Sequence, residues 1–211
     1  MSTPGRSLDL RQIMDDGHVL IVNLSKGRLG EDNSTLLGAF LVSSIQQAAM
    51  TRADIPEETR RDFFLYVDEF QNFTTGSFAS VLSEARKYRL SLCVAHQYLS
   101  QLNEPTADAV WGNVGSLVAF QVGSDDAELL ARQLSKYPDQ MQPQDLTNLP
   151  KYTAYARVLI DGMPSHPFSL STLPPPLGDE DRSVIIRRCS QRQWSRPLAT
   201  VHDEVSRSLA G

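Results

Sequence analysis

Apolar runs of strand length alternate along this chain with stretches whose apolar positions recur every three or four residues. The β-branched run 18–24 (HVLIVNL), after the turn pair Asp16-Gly17, predicts a first strand. A long helix follows, with Asp32, Asn33 and Ser34 as candidate N-caps, an apolar stripe of Leu37, Phe40, Leu41, Ile45 and Ala48, and a stop at Ile55-Pro56. Residues 63–67 (FFLYV) are apolar at every position, which predicts a strand covered on both faces, as in a parallel sheet. Phe78, Val81, Leu82, Ala85 and Tyr88 mark the next helix, and 90–95 (LSLCVA) the next buried strand. A short helix near 107–110, a strand over 116–122 and a helix over 125–135 capped by Ser124 come next. Residues 152–160 and 167–173 predict two strands joined at Asp161-Gly162, a hairpin signal. This rhythm predicts an α/β fold: a mostly parallel sheet with helices on both faces and an antiparallel hairpin at one edge.

Three prolines at 174–176 end the compact part, so residues 1–176 form one expected domain and 177–211 an Arg-rich, partly helical tail, split at Arg196-Pro197. A length of 211 residues supports one such core and little more. Twenty Lys and Arg against 25 Asp and Glu leave a net charge of −5, which argues against a surface built wholesale for nucleic acid. Cys93 and Cys189 lie too far apart in sequence for a disulfide framework or a Cys-rich zinc site, and the four histidines have no metal-ligand spacing. The start, MSTPGRSLDL, has no apolar core of a signal peptide. The longest uncharged stretch, 33–51, carries Ser43, Ser44, Gln46 and Gln47, so it reads as a buried helix and not a membrane span. Reduced thiols and a cytoplasmic location are expected.

The sharpest chemical feature is FFLYVDEF, residues 63–70. A hydrophobic strand ending in Asp68-Glu69 puts two carboxylates at its C-terminal edge, where open α/β sheets bind ligands. This is the Walker B arrangement of P-loop ATPases, in which the Asp holds the Mg²⁺ shell and the Glu orients or deprotonates water. An acidic pair can equally well just end a strand and solvate a loop. The next strand ends in His96-Gln97, and adjacent parallel strand ends lie only about 5 Å apart. Gln97 is thereby expected beside Asp68 and Glu69, where a neutral amide can bond a phosphate or a water. Arg86, in the run EARKYR, sits at a helix end; the helix dipole alone favours cations there, and an arginine finger is the sharper alternative. Lys26 and Arg28 follow the first expected strand and read first as solvated loop charges.

The runs NLSKGRLGED (23–32), LYVDEFQNF (65–73), SEARKYRLSL (83–92) and AHQYLSQL (95–102) together resemble the HerA/FtsK-type motor ATPases, and among these the conjugative coupling proteins of type IV secretion, TraG/TraD-like. The stretches 122–134 and 149–176 resemble the end of the same ATPase domain. The resemblance implies a RecA-like three-layer α/β/α fold, a hexameric ring of identical subunits, ATP with Mg²⁺, DNA pumped through a central pore, and a membrane-associated secretion complex as partner. It gives Asp68 the Mg²⁺ role through water, Glu69 the catalytic carboxylate role and Gln97 the γ-phosphate sensor role. Arg86, eleven residues before Gln97, falls where the family places a finger acting on the neighbouring subunit.

The departure from that family is the phosphate cradle. No G-x-x-x-x-G-K-[ST] occurs, and the nearest text, residues 27–32, puts Glu31 and Asp32 where a Lys and a hydroxyl would stand. The chain thus reads as the Walker B and sensor half of an ATPase, incomplete without a Walker A segment. The alternative is a non-enzymatic assembly module that keeps the NTPase fold. A metal-dependent nuclease ranks last, because Glu84-Ala85-Arg86 supplies Glu-x-Arg on a helix, and a serine hydrolase lacks the G-x-S-x-G elbow.

Overall fold

Two short helices, α1 (Leu10–Asp16) and α2 (Lys26–Leu29), precede the long α3 (Glu31–Thr51) in the computed structural model, which describes residues 8–74, 78–135, 141–175, 178 and 181–210. Most of the N-terminal MSTPGRSLDL run, and the last proline of the 174–176 stop, lie outside the described residues. Strand β1 (Phe63–Val67) then runs parallel to β2 (Leu90–Val94), with Phe63 opposite Leu90 and Val67 opposite Val94. Between them the chain makes α4 (Phe78–Glu84) and a 3-10 turn, Ala85–Tyr88, and Arg89 leaves that turn with a left-handed φ of 56°.

The covered face of the β1–β2 ladder explains the core. Leu65, Val67, Leu92 and Val94 pack under Val42 of α3, Phe78 of α4 and Val110 of α5 (Glu104–Asn113). Phe63 and Leu90 pack with Met14, Ile45, Ala49, Val81 and Ala85. Helix α5 starts cleanly because the Asn103 side chain accepts the Thr106 N–H at 3.0 Å and a proline occupies the first turn. On the opposite face Phe64 is 59% and Tyr66 73% exposed, and Ser91 and Cys93 beside them are exposed as well. Among the described residues the ladder is therefore covered on one face only, where three layers were expected.

Three further expectations are corrected. The run 18–24 forms no strand and joins no ladder among the described residues; Val19 and Ile21 are largely exposed, and an open groove of about 1050 Å³ lies between this run and β1. The burying stripe of α3 is Ser34, Gly38, Val42, Ile45 and Ala49, while Leu37 and Phe40 of the expected stripe are exposed. The apolar residues of α3 are spread around the helix among Ser43, Ser44, Gln46 and Gln47, so no single face stands out for periodicity to select. Finally, the ladders among the described residues are not mostly parallel: β3 (Leu117–Ala119), β4 (Thr153–Arg157) and β7 (Phe168–Ser171) form an antiparallel sheet in the order β3-β4-β7, in which β4 and β7 are the expected antiparallel pair. The small hairpin of β5 (Leu159–Ile160) and β6 (Met163–Pro164) turns through Asp161 and Gly162, both at positive φ, as a two-residue primed turn demands.

Helices α6 (Ser124–Leu134) and α7 (Pro143–Thr147) lie over the antiparallel sheet. Ala127, Leu130, Ala131 and Leu134 bury against Ala119, Leu146 and Leu149, with Tyr155 against the cluster. All of these belong to one unit, Leu10–Leu173. The described residues beyond it form α8 (Ser183–Trp194) and α9 (Leu198–Ala210), whose side chains are almost all exposed; Arg196 pairs with Glu204 at 2.8 Å. No helix of the described residues is long and apolar enough to cross a membrane.

Candidate functional site

The parallel register of β1 and β2 continues one step past the strands. Ala95 N–H donates to Val67 O at 2.9 Å, and Phe70 N–H donates to Ala95 O at 3.1 Å. These bonds zip the chain leaving β2 onto the chain leaving β1, and they fix residues 68–70 and 95–97 side by side at the C-terminal edge. Glu69 turns the chain there with φ 50° and ψ 44°, a left-handed conformation that a side chain seldom adopts. Three bonds hold that kink: Asp68 Oδ1 accepts the Glu69 N–H, and Glu69 O accepts from both the backbone N–H and the side-chain amide of Asn72, each at 3.0 Å.

The Glu69 carboxylate is gripped at both oxygens. Gln97 Nε2 donates to Oε1 at 2.5 Å and Gln71 Nε2 to Oε2 at 2.6 Å. These two amide bonds, the one from Gln71 first, hold the carboxyl below the usual glutamate range, and the charge of Lys26 adds to the effect. Lys26 itself reaches over from α2, donating to Glu31 at 2.7 Å and to Asn72 Oδ1 at 3.0 Å. His96 stands edge-on to Phe70, ring centroids 5.0 Å apart, and burial pushes its imidazole below the ordinary value against the pull of Asp126 and Glu69. Asp126 in turn accepts the Leu99 N–H at 3.1 Å, which ties the loop after β2 to α6.

Of the four residues singled out in the sequence, Asp68, Glu69 and Gln97 are brought to one edge and Arg86 is not. Arg86 is exposed in the 3-10 turn ahead of β2, at the N-terminal edge of the ladder. Its neighbour Ala85 is buried while Arg86 itself is exposed, so the arginine points away from the core. Gln71, Asn72, His96 and Asp126 were not anticipated, and Lys26 was read as a solvated charge. The usable signal for Gln71 and Asn72 was their position two and three residues after an acidic strand end, the reach of a turn closing on itself.

A Mg²⁺ ion usually needs only one or two carboxylates, with water and phosphate oxygens completing its shell. Exposed Asp68 fits that demand, although no three His, Cys, Asp or Glu side chains among the described residues converge into a metal cage. A phosphate grip is another matter. The nearest cation, Lys26, is already engaged by Glu31 and Asn72.

Residues 62–151 match a family model described as the TraM recognition site of TraD and TraG. This segment is similar to the C-terminal region of TraG/TraD-like coupling proteins. The TraG/TraD-like segment includes β1, β2 and all four residues singled out from the sequence. A solved structure titled bacterial conjugative coupling protein TrwBdeltaN70, in its unbound monoclinic form, is 22% identical with a TM-score of 0.47. That match covers 60% of this chain and 34% of that one, so it spans about a third of the coupling protein's length. No curated protein matches the chain.

Proposed function

We propose that this chain supplies the Walker B and sensor half of an ATP-driven, DNA-translocating motor of the conjugative coupling kind. The observation that carries the reading is the contact of Gln97 with Glu69 beside Asp68, at the C-terminal edge of two parallel strands. The similarity of residues 62–151 to TraG/TraD-like proteins supports the setting in conjugation. When bound, Mg·ATP supplies the γ-phosphoryl group and its counter-charge. Asp68 holds the metal's water shell. Glu69, ionised at neutral pH, aligns the attacking water and accepts its proton at a carboxylate oxygen. Gln97 donates its amide to a phosphate oxygen without adding charge. Arg86, on the far edge, serves a nucleotide on a neighbouring copy in a ring, and DNA is the cargo moved.

This half lacks the backbone nest and lysine that grip a triphosphate. By itself the chain therefore binds Mg·ATP weakly and turns it over negligibly. The deciding experiment is Glu69→Gln in the complete motor, read as DNA-stimulated ATP turnover beside nucleotide binding. Loss of turnover by roughly 10²-fold or more with binding retained is expected from removal of a positioned base. Unchanged turnover removes the catalytic reading.

A second reading has its own support. The matched family model is described by recognition of TraM, and no P-loop is present, which suits a non-enzymatic docking module for a TraM-like protein partner. Under that reading Glu69→Gln leaves DNA transfer intact, and substitutions on the exposed surface of 62–151 abolish it.

A further inference from the structure

The amide that holds the second oxygen of Glu69 has no role in the reading above, and its geometry is unusual for a side chain that only fills space. Gln71 is half-buried in the 3-10 turn Phe70–Phe73, and its Nε2 lies 2.6 Å from Glu69 Oε2. A carboxylate only accepts, so the NH₂ end of the amide must face Glu69. That leaves the other end, Oε1, buried with no hydrogen-bond partner. Burying an acceptor unsatisfied is unfavourable, and a methionine or leucine of similar size would avoid it. The contact with Glu69 is what the glutamine gains in exchange.

The two clamps differ in kind. Gln71 is on the same turn as Glu69, two residues along, and half-buried; Gln97 is exposed and comes from the end of the neighbouring strand. Withdrawal of Gln97 toward another acceptor frees Oε1 and leaves the carboxylate aimed by Gln71. The loss of one donor also makes the carboxylate more basic.

We propose that Gln71 is a positioning residue that fixes the Glu69 carboxylate through Oε2, so that Glu69 stays aimed when Gln97 leaves Oε1 for another acceptor. This rests on the catalytic reading of Glu69 given above. By the same reading the acceptor that engages Gln97 is a phosphate oxygen.

The test is a carboxyl-carbon NMR titration of the whole chain carrying labelled glutamate, with the Glu69 signal assigned by its loss in Glu69→Gln. In the unsubstituted chain Glu69 titrates below the ordinary glutamate range. Gln71→Met and, separately, Gln97→Met each move it upward. Gln71→Asn, whose amide falls one methylene short, moves it upward as well and serves if the methionine variant does not fold. An unmoved Glu69 titration in Gln71→Met or Gln71→Asn, with Gln97→Met shifted, overturns the proposal.

In the complete motor Gln71→Met lowers kcat by roughly 10²-fold with the KM for ATP unchanged, as misplacement of a base does. It also moves the acid limb of the pH–rate profile upward. A change in KM alone overturns the positioning role. Unchanged turnover in Glu69→Gln would instead remove the catalytic reading, while the titration would still report the clamp.

Discussion

Arg52 is the one fully buried charged side chain among the described residues, and the cost of losing it can be worked from its contacts. Its Nε lies 2.9 Å from Asp15 Oδ1; Nη1 donates to Tyr88 O at 2.9 Å and Nη2 to Arg61 O at 2.6 Å. One guanidinium thus joins α1, the end of α3, the approach to β1 and the turn before β2. Arg52→Met keeps much of the volume and orphans two part-buried carbonyls, each worth about 1–3 kcal/mol when unsatisfied. The loss at Asp15 is smaller, because that carboxylate is 33% exposed and keeps Arg11 Nε at 3.2 Å. Broken buried pairs cost about 3–5 kcal/mol, so about 3 kcal/mol is expected here after the gain from methionine packing. For a unit of this size that corresponds to a fall in Tm of roughly 6–12 °C. Urea unfolding followed by circular dichroism measures it, with the m-value unchanged. Arg52→Lys should recover less than half, since an ammonium cannot span three acceptors in a plane. A loss below about 1 kcal/mol, or full rescue by lysine, would refute the argument that this planar fork holds the four segments together.

Three shorter expectations follow from the site. A Cβ added at Gly38 would stand 2.1 Å from Phe73 Cδ1, so Gly38→Ala should cost about 1–3 kcal/mol despite alanine's better helix propensity, and calorimetric melting reads it. His96 should titrate below the ordinary value of about 6.5 in an imidazole NMR experiment. Its neutral form therefore contributes stability above the unfolded value, lost as pH falls through the folded one, and His96→Phe should flatten that limb of a stability–pH curve. In the complete motor Arg86→Lys should cut turnover by roughly 10³-fold with nucleotide binding nearly unchanged, and mixing it with Glu69→Gln should restore part of the activity; near-normal turnover for Arg86→Lys would show a surface cation only.

Strand β1 was legible because a five-residue apolar run bounded by Asp62 and Asp68 has few alternatives; β2 was legible from its alternating Leu90, Leu92 and Val94, and the parallel pairing follows from the helix between them. The Glu69–Gln97 contact was legible for the same reason, as a consequence of adjacent strand ends. Other features were decided by tertiary packing. Phe40 was placed in the core by periodicity, yet Phe73 lies against Gly38 and sets which side of α3 is buried. The run 18–24 has strand chemistry, but a strand exists only with a partner, and local sequence does not encode one. Gln71 drew no attention in the sequence because its meaning lies in a carboxylate two residues back, seen only once the left-handed Glu69 bends the chain.

The position of Arg86 bears on the choice between the two functional readings. Asp68, Glu69 and Gln97 leave the C-terminal edge of the β1–β2 ladder, and Arg86 precedes its N-terminal edge, so a five-residue ladder of roughly 13 Å lies between them. A guanidinium that far off cannot touch a phosphoryl group placed against Glu69 and Gln97 of the same chain, as the catalytic reading requires. If Arg86 takes part in catalysis, it acts on a nucleotide held by another copy, and turnover must rise with assembly. A docking module has no catalytic step that calls for a second copy. The dependence of turnover on concentration in the complete motor thus separates the readings without any substitution. A rate per subunit that is constant across the assembly transition would leave Arg86 with solubility as its only role.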